Sequence, residues 1–330
     1  MSVPAEPRGG LTLEPLAAAR RRPTWGRRLR GRQDRHLWFG LFVLPFVAGL
    51  LVFVYVPIAW SAYLSFFDAR ATVTPTKFVG LANYSYLLTD PEFRSSLLVF
   101  IAFAVLIVPL TYVCSLGLAL LLSGLRVAQA FFRSVFFIPT AVSYVIAAMI
   151  WRISFFNGGR FGLVNSLLRQ LGGSNIDWLG GANYGYWVAL VSLRLWLQVG
   201  FYMILLIAGL NRIPSETYEA AAIDGAAGWR MLRYITLPQL RATTAAVLML
   251  LLINAFQAFD EFWNLLSGVN GTYAPYGRPP LVHLFVISLG GSNQDLGLGG
   301  AGTMILTAII IVFGVAQNWF ANRGADREER

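Results

Sequence analysis

The chain has 330 residues, of which 56% are hydrophobic and 13% are charged. That balance is too apolar for the surface of an ordinary water-soluble domain, so it argues against a soluble enzyme and favours an integral membrane protein. The net charge of +10 does not require a nucleic acid partner, because basic residues of membrane proteins collect in the loops on the cytoplasmic side.

Long segments without Asp, Glu, Lys or Arg predict membrane-spanning helices. A helix needs about 20 mostly apolar residues to cross the bilayer core, and residues 36–67, 95–125 and 296–322 are uncharged throughout. Together with three further apolar runs they predict an all-α integral membrane fold with six transmembrane helices. The predicted spans are 37–63, 97–123, 131–151, 184–210, 243–266 and 301–320.

The distribution of Lys and Arg predicts that both termini lie in the cytoplasm. In that orientation the cytoplasmic segments hold eighteen basic residues and the outside loops hold seven, in agreement with the positive-inside rule. The predicted domains are a cytoplasmic, disordered Arg-rich tail (1–35), a transmembrane domain (36–322) with a cytoplasmic loop at 211–242, and a cytoplasmic tail (323–330). An alternative role for the first tail is a polybasic lipid-binding arm.

Two patterns that would indicate other functions are weak. The stretch "GLGGAG" (Gly297–Gly302) matches a dinucleotide-binding fingerprint in its letters, but no strand pattern precedes it and its helix is membrane-spanning. Its small residues instead predict close helix packing. No catalytic triad, zinc motif or paired carboxylates are found, and His36 and His283 are too distant in sequence to suggest a metal site. The sequence therefore predicts no catalytic residue, cofactor or metal on this chain.

The cytoplasmic loop between the fourth and fifth spans contains "YEAAAIDGAAGW" (Tyr218–Trp229). Ser215 is the predicted N-cap of a helix, the alanines favour that helix, and Gly225 permits a turn. A second short amphipathic helix is expected to end at Pro238. The product is a helix–turn–helix hairpin with a thin edge of small residues, a shape that suits a groove on another protein.

The pattern "EAAAIDGA" followed by "ITLP" resembles the EAA loop of ABC importer permeases of the carbohydrate-uptake branch. The stretches "FVGLANYSYLLTDPEF" and "SFFD" in the first outside loop are similar to the first of that branch's two permeases, of the maltose, glycerol-phosphate or multiple-sugar type. The resemblance implies a type I importer fold in the cytoplasmic (inner) membrane of a prokaryote. It also implies that the loop couples to an ATPase through Glu219, Ala220, Ala221, Asp224, Gly225, Ile235, Leu237 and Pro238.

The same resemblance implies the partners of the chain. They are a second permease, two cytoplasmic ABC ATPase subunits, an extracytoplasmic solute-binding protein and a sugar substrate. ATP and Mg²⁺ are expected on the ATPase, because a P-loop requires a lysine in a GxxxxGK[ST] motif and the single lysine of this chain is Lys77, in an outside loop.

Two alternative functions stay open at this stage. One is an ABC importer for another polar solute such as glycerol phosphate, for which Arg194 would be a natural phosphate partner. The other, from a different class, is an ion-coupled secondary transporter or channel, which would leave the EAA loop unexplained.

Polar residues inside the spans are candidates for the substrate path, because burying them in lipid is unfavourable. On the fifth span, Asn254, Gln257 and Glu261 are spaced to lie along one helical face. The alternative is polar contact between helices, including an Arg194–Asp260 pair. The candidates for the path are Arg194, Gln198, Asn254, Gln257, Asp260 and Glu261.

Overall fold

A computed structural model describes residues 25–125, 127–159, 162–180, 184–266, 277–290 and 294–325. The chain divides into two compact units at Ile58. Helix α1 (Trp25–Leu50) continues through a π-helical turn (Leu51–Tyr55) into α2 (Val56–Leu64).

The predicted disordered tail is only partly testable. Residues 1–24 lie outside the described residues, whereas 25–35 belong to α1. The prediction is therefore wrong for 25–35. Arg, Leu and Gln are good helix formers, and this segment leads directly into the apolar part of the same helix.

A small hairpin and two helices follow the first helical run. Strands β1 (Phe67–Asp68) and β2 (Lys77–Phe78) pair antiparallel, and helix α3 (Ala82–Thr89) precedes the long helix α4 (Pro91–Ser123). Asp90 caps α4, since its side chain accepts a hydrogen bond from the Phe93 amide at 2.9 Å.

The third predicted span is a bent pair of helices. Helix α5 (Gln129–Phe137) and a 3₁₀ turn (Ile138–Ala141) form its first part, and α6 (Tyr144–Ile150) with a π-helical turn (Trp151–Phe155) forms the second. The two parts are bent by 93°. Two local causes lie at the bend: Pro139 gives up a backbone donor, and Ser143 caps α6 by accepting a hydrogen bond from the Val145 amide.

The next outside loop contains helix α7 (Leu163–Gln170), and the fourth span is helix α8 (Tyr186–Leu210). Helix α8 is the most enclosed of the long apolar helices, with 61% of its most apolar window buried. It packs against α4, and their shared core includes Phe103, Leu193 and Met203.

The predicted cytoplasmic loop holds helix α9 (Ser215–Ile223), helix α10 (Trp229–Met231), a π-helical turn (Leu232–Thr236) and helix α11 (Leu237–Gln239). The fifth predicted span, 243–266, is not one helix. It consists of α12 (Arg241–Phe256) and α13 (Asp260–Leu266), with residues 257–259 between them outside any helix.

The chain ends with α14 (Pro280–Leu289) and α15 (Leu296–Ala325). Helix α15 begins five residues before the predicted sixth span and continues three residues beyond the predicted end of the transmembrane domain. Residues 326–330 of the predicted cytoplasmic tail lie outside the described residues.

The fold class predicted from the sequence is confirmed. Four helices are long and apolar enough to cross a membrane, and two bent pairs raise the number to six if each pair is one span. The single helices are Trp38–Leu64, Pro91–Ser123, Tyr186–Leu210 and Leu296–Gln317, and the pairs are Gln129–Ala141 with Tyr144–Phe155 and Trp229–Gln239 with Arg241–Phe256. The second pair differs from the predicted fifth span, because its first member lies in the predicted cytoplasmic loop and α13 is not part of it.

The "GLGGAG" stretch opens α15 and packs closely against its neighbours, so the packing interpretation of this stretch is confirmed. A Cβ added at Gly300 would lie 2.6 Å from the backbone oxygen of Ser61, and one at Gly302 would lie 2.2 Å from a side-chain carbon of Leu284. Only glycine permits approaches this close.

Candidate functional site

The predicted coupling loop folds as two short helical segments joined by a tight turn. Pro214, in an extended conformation, occupies the N-cap position of α9, and no side-chain capping bond forms there. The predicted N-cap at Ser215 is therefore wrong, because Ser215 is already the first helical residue. Glu216 lies in the first turn, where the helix dipole favours an acidic side chain.

Gly225 closes α9. It has a φ of +78°, in the left-handed region that glycine adopts most readily. The amide of Ala226 donates to the carbonyl of Ala221 at 2.9 Å, and the Gly225 amide donates to the carbonyl of Ala222 at 3.1 Å. This pair of bonds is a Schellman motif, so the sequence-predicted turn at Gly225 has a defined structural cause.

The second segment runs from Trp229 to Gln239 and then bends by 74° into α12. Pro238 was expected to end it but lies inside α11. The π-helical turn ends immediately before α11, so Pro238 occupies the first turn of a new helical piece, where a missing N–H is tolerated.

This loop exposes three large apolar side chains. Ile223, Trp229 and Tyr234 expose 88%, 67% and 67% of their area, and we call these three residues the coupling surface. Among the predicted coupling residues, Ala221 is buried and Ile235 and Leu237 are half-buried. The others are exposed: Glu219, Ala220, Asp224, Gly225 and Pro238.

Polar side chains from four helices meet inside the bundle. We call this group the polar cluster, and it consists of Tyr144 on α6, Arg194, Gln198 and Tyr202 on α8, Asn254 on α12 and Glu261 on α13. The sequence predicted four of its six members as candidates for the substrate path.

Arg194 holds the polar cluster together. It is 3% exposed, and its guanidinium forms a salt bridge with Glu261 through Nη1 and donates from Nη2 to the backbone oxygen of Asn254 at 2.6 Å. The guanidinium also lies 5.1 Å from the ring centre of Tyr144, a cation–π distance. The predicted Arg194–Asp260 pair is wrong, because Glu261 takes that place and Asp260 is exposed.

The amides of the polar cluster are paired with tyrosines. Gln198 donates from Nε2 to the Tyr144 hydroxyl at 2.9 Å, and Asn254 donates from Nδ2 to the Tyr202 hydroxyl at 3.1 Å. Neither tyrosine was among the residues predicted from the sequence. Tyr202 could have been predicted, because it follows Gln198 by four residues on α8 and therefore lies on the same helical face. No sequence pattern connects Tyr144 with the polar cluster.

Gln257 does not join the polar cluster. The premise that Asn254, Gln257 and Glu261 share one helical face is wrong, because α12 ends at Phe256 and α13 starts only at Asp260. Gln257 is exposed and lines a largely apolar cavity of about 120 Å³ with Phe100, Thr303 and neighbouring residues.

A separate cavity of about 890 Å³, lined by both polar and apolar residues, lies among the predicted outside elements. Its lining includes Asp90, Asp295 and the buried His283. Both carboxylates have structural roles, since Asp90 caps α4 and Asp295 accepts a hydrogen bond from the Leu298 amide at 2.9 Å. Burial is the main cause that lowers the pKa of His283; Arg278 lowers it further, while Asp90 and Glu92 oppose the shift.

Residues 112–324 match the sequence profile of the family described as "Binding-protein-dependent transport system inner membrane component". The trehalose/maltose transport system permease protein MalF of Thermococcus litoralis is 31% identical over 273 residues, which cover 83% of this chain and 90% of MalF. The sn-glycerol-3-phosphate transport system permease protein UgpA of Agrobacterium fabrum is 32% identical over 289 residues, which cover 86% and 94% of the two chains.

The fold matches a solved structure as well. The crystal structure of a bacterial ABC transporter that imports the acidic polysaccharide alginate contains a chain of the same fold, with a TM-score of 0.77 and 20% identity over 90% of this chain and 99% of that one. The profile match covers most of the chain, and the relatives are matched over nearly their full length. The chain therefore belongs to the family of inner-membrane components of binding-protein-dependent transport systems, the permeases of ABC transporters.

Proposed function

We propose that this permease couples to a cytoplasmic ATPase through its coupling surface and thereby drives solute import. The observation that carries the proposal is the exposure of Ile223, Trp229 and Tyr234 on a loop with a rigid, hydrogen-bonded turn at Gly225. Large apolar side chains exposed together mark interaction sites. Membership of the permease family decides against the ion-coupled secondary transporter or channel.

The proposal includes the partners that the family resemblance implies. A second permease completes the path, two ATPase subunits bind and hydrolyse ATP with Mg²⁺, and an extracytoplasmic binding protein delivers the solute. This chain supplies transport and coupling but no catalytic residue. The family description, which names binding-protein-dependent transport, supports the binding protein in this scheme.

For the substrate we propose an uncharged sugar or oligosaccharide. One relative is a permease for trehalose and maltose, and Gln257 offers an exposed amide beside Phe100 and Phe256 at an apolar cavity. Hydroxyl-rich rings are bound by that combination, with hydrogen bonds at their edges and apolar contact at their faces.

Glycerol phosphate is the second candidate, because UgpA is a permease for sn-glycerol-3-phosphate. The structure gives a reason to rank it lower. Arg194, the residue expected to bind a phosphate, is 3% exposed and already paired with Glu261. A phosphate would have to displace a buried carboxylate to reach it.

The coupling proposal is tested with Gly225→Asp and a matched control, Gly172→Asp. Gly225 and Gly172 have φ values of +78° and +84°, and a Cβ at either position would have no atom within 4 Å. The two substitutions therefore carry the same backbone strain, but Gly172 follows α7, in a predicted outside loop.

We expect Gly225→Asp to insert normally into the membrane but to reduce co-purification of the ATPase by about tenfold or more. A tenfold reduction corresponds to a loss of about 1.4 kcal/mol of interface energy. Gly172→Asp should leave co-purification unchanged. Equal recovery of the ATPase with both variants would contradict the coupling proposal.

The orientation that the proposal needs is tested by thiol labelling. Single cysteines at Ser215 and at Asn175, both exposed, are introduced in a Cys114→Ala background. An impermeant reagent should label position 215 only from the cytoplasmic side and position 175 only from the outside. Reversed labelling would move the coupling surface away from any cytoplasmic ATPase.

A further inference from the structure

The break between α12 and α13 has no cause in its own sequence. Residues 254–263 read NAFQAFDEFW and contain neither proline nor glycine, the residues at which helices are usually interrupted. The chain nevertheless leaves the helix after Phe256, and Gln257 already has a ψ of 11°. The cause of the break must therefore lie elsewhere in the fold.

The backbone bonds at the break identify the carbonyl that is released. In a continuous helix the Ala258 amide would donate to the Asn254 carbonyl. It donates instead to Ala255 at 3.3 Å, and the Asn254 carbonyl accepts from Nη2 of Arg194 at 2.6 Å. A guanidinium from α8 thus takes the position of a backbone donor, and a cation at the C-terminal end of a helix is electrostatically favoured.

Glu261 holds the guanidinium on the other side of the break. It lies in the first turn of α13, is 2% exposed and forms the salt bridge with Nη1 of Arg194. One planar side chain therefore contacts the last turn of α12 and the first turn of α13 at the same time. A guanidinium, with its fixed fork of donors, is suited to such a bridge, whereas a lysine ammonium is a point charge.

We propose that Arg194 is a positioning residue that keeps the fifth span broken between Phe256 and Asp260. By occupying the Asn254 carbonyl it prevents α12 and α13 from joining into one helix. As a result Gln257 is placed on the exposed surface while Ala258 and Glu261 are buried. For its effect on uptake, though not for the geometry, this inference rests on the proposed transport function.

The test measures the break directly in the assembled transporter. Spin labels are placed at Ala246 on α12 and Asn264 on α13, in a background without other cysteines, and their distance is measured by pulsed electron resonance. A continuous helix would separate the two α-carbons by about 27 Å, at 1.5 Å per residue. The parent should give a different distance.

The main variant is Arg194→Gln with Glu261→Gln, which removes both charges and so leaves no buried charge unpaired. We expect its distance to move to that of a continuous helix. The matched control is Gln198→Met, which loses the bond to Tyr144 on the same face of α8 and should keep the parental distance. A parental distance in the double variant would overturn the proposal.

Two further measurements keep the result decisive. If the double variant does not assemble, Arg194→Lys is measured in its place: a shift toward the continuous-helix distance supports the proposal, and a parental distance overturns it. The variant that assembles should take up the solute with a KM about tenfold higher and with a maximal rate that is little changed. A rise of that size is expected if Gln257 is displaced and loses one hydrogen bond to the solute. The distance between the two spin labels is measured without substrate. It therefore tests the helix break even if the proposed sugar substrate is wrong.

Discussion

The polar cluster and the coupling surface show opposite arrangements of side-chain chemistry. In the cluster, polar groups lie in the apolar interior and are paired with one another, as Arg194 is with Glu261 and Asn254 is with Tyr202. On the coupling surface, apolar groups lie in the predicted cytoplasmic loop and are left uncovered, Ile223 to 88% of its area.

The difference shows which part of the molecule is complete in one chain. Buried polar groups must find partners within the fold because an unpaired one is costly. The side chains of the cluster are paired with one another, although Nε of Arg194 has no hydrogen-bond partner among the described residues. Contact between exposed apolar groups and water is unfavourable. A partner protein that covers the coupling surface would remove that contact and so stabilise the complex. Substitutions in the cluster should therefore affect stability, and substitutions on the coupling surface should affect association.

The largest effect is expected for Glu261→Leu. Removing the carboxylate leaves the Arg194 guanidinium charged and buried, and breaking a buried ion pair from one side costs about 3–5 kcal/mol. Assembly of the purified transporter should fall sharply, as measured by size-exclusion chromatography and by the midpoint of thermal unfolding. The neighbouring Asp260→Leu, at an exposed position, should change stability by no more than about 0.5 kcal/mol. Similar losses from both would mean that the salt bridge adds nothing.

Trp229→Ser tests the coupling surface, where a substitution should affect association and not stability. Because Trp229 is 67% exposed, its replacement should leave the stability of the isolated permease unchanged within about 0.5 kcal/mol. Affinity for the ATPase should fall by about 2 kcal/mol, as for a buried aromatic anchor of an interface. The two quantities are measured by thermal unfolding and by titration with the ATPase. A loss of stability with unchanged affinity would assign Trp229 to the fold and not to coupling.

Alanine substitutions at Asn254 and Gln257 sharpen the boundary between structure and transport. Asn254→Ala loses the bond to Tyr202 and should cost about 0.5–1.5 kcal/mol of stability. Gln257→Ala, at an exposed position, should leave stability unchanged and alter the uptake rate or the preference among related solutes. If assembled complexes of both variants transport the solute and its analogues like the parent, neither residue lines the path.

The smallest effect concerns His283, which is buried without the pairing seen in the polar cluster. Neither ring nitrogen has a hydrogen-bond partner among the described residues, and burial, the largest cause, lowers the pKa of this histidine in the folded protein. The unfolded chain takes up the proton first, near pH 6.5, so stability contributed by neutral His283 is present above that pH and is lost as the pH falls through it toward the folded pKa.

We therefore expect the thermal midpoint to fall between pH 7 and pH 5.5, and to fall less in His283→Asn. The variant measured over the same range corrects for the carboxylates, including Asp90 at 3.7 Å from the histidine Nε2. Identical pH profiles for parent and variant would show that His283 is not the group responsible.

The coupling loop was predictable from sequence because its causes are local. Alanines favour the helix, and a glycine one residue beyond the helix C-cap supplies the left-handed residue that ends it, so the turn at Gly225 followed from neighbouring letters. The errors at Ser215 and Pro238 are shifts of one or two residues at helix ends, where extended and π-helical backbone decide the boundary.

The break in the fifth span was not predictable, because its proposed cause lies 60 residues away in the chain. Arg194 and Asn254 are brought together only by the packing of α8 against α12, and nothing in the letters around Gln257 indicates an interruption. The same limit applies to Tyr144, whose partner Gln198 is 54 residues distant. Helical spacing predicts neighbours along one element but not between elements.

The glycines at the start of α15 also decide which parts can move together. The Leu296 amide donates to the Ala69 carbonyl at 3.1 Å, and the Ala71 amide donates to the Gln294 carbonyl at 2.7 Å. A Cβ added at Gly297 would lie 2.3 Å from the backbone oxygen of Phe67 in β1, so the hairpin of the first outside loop and the first turn of α15 have no room to slide past each other. If α15 tilts during a transport cycle, the hairpin must move with it. A displacement of α15 inside the bilayer would therefore also displace the hairpin at the outer surface of the protein.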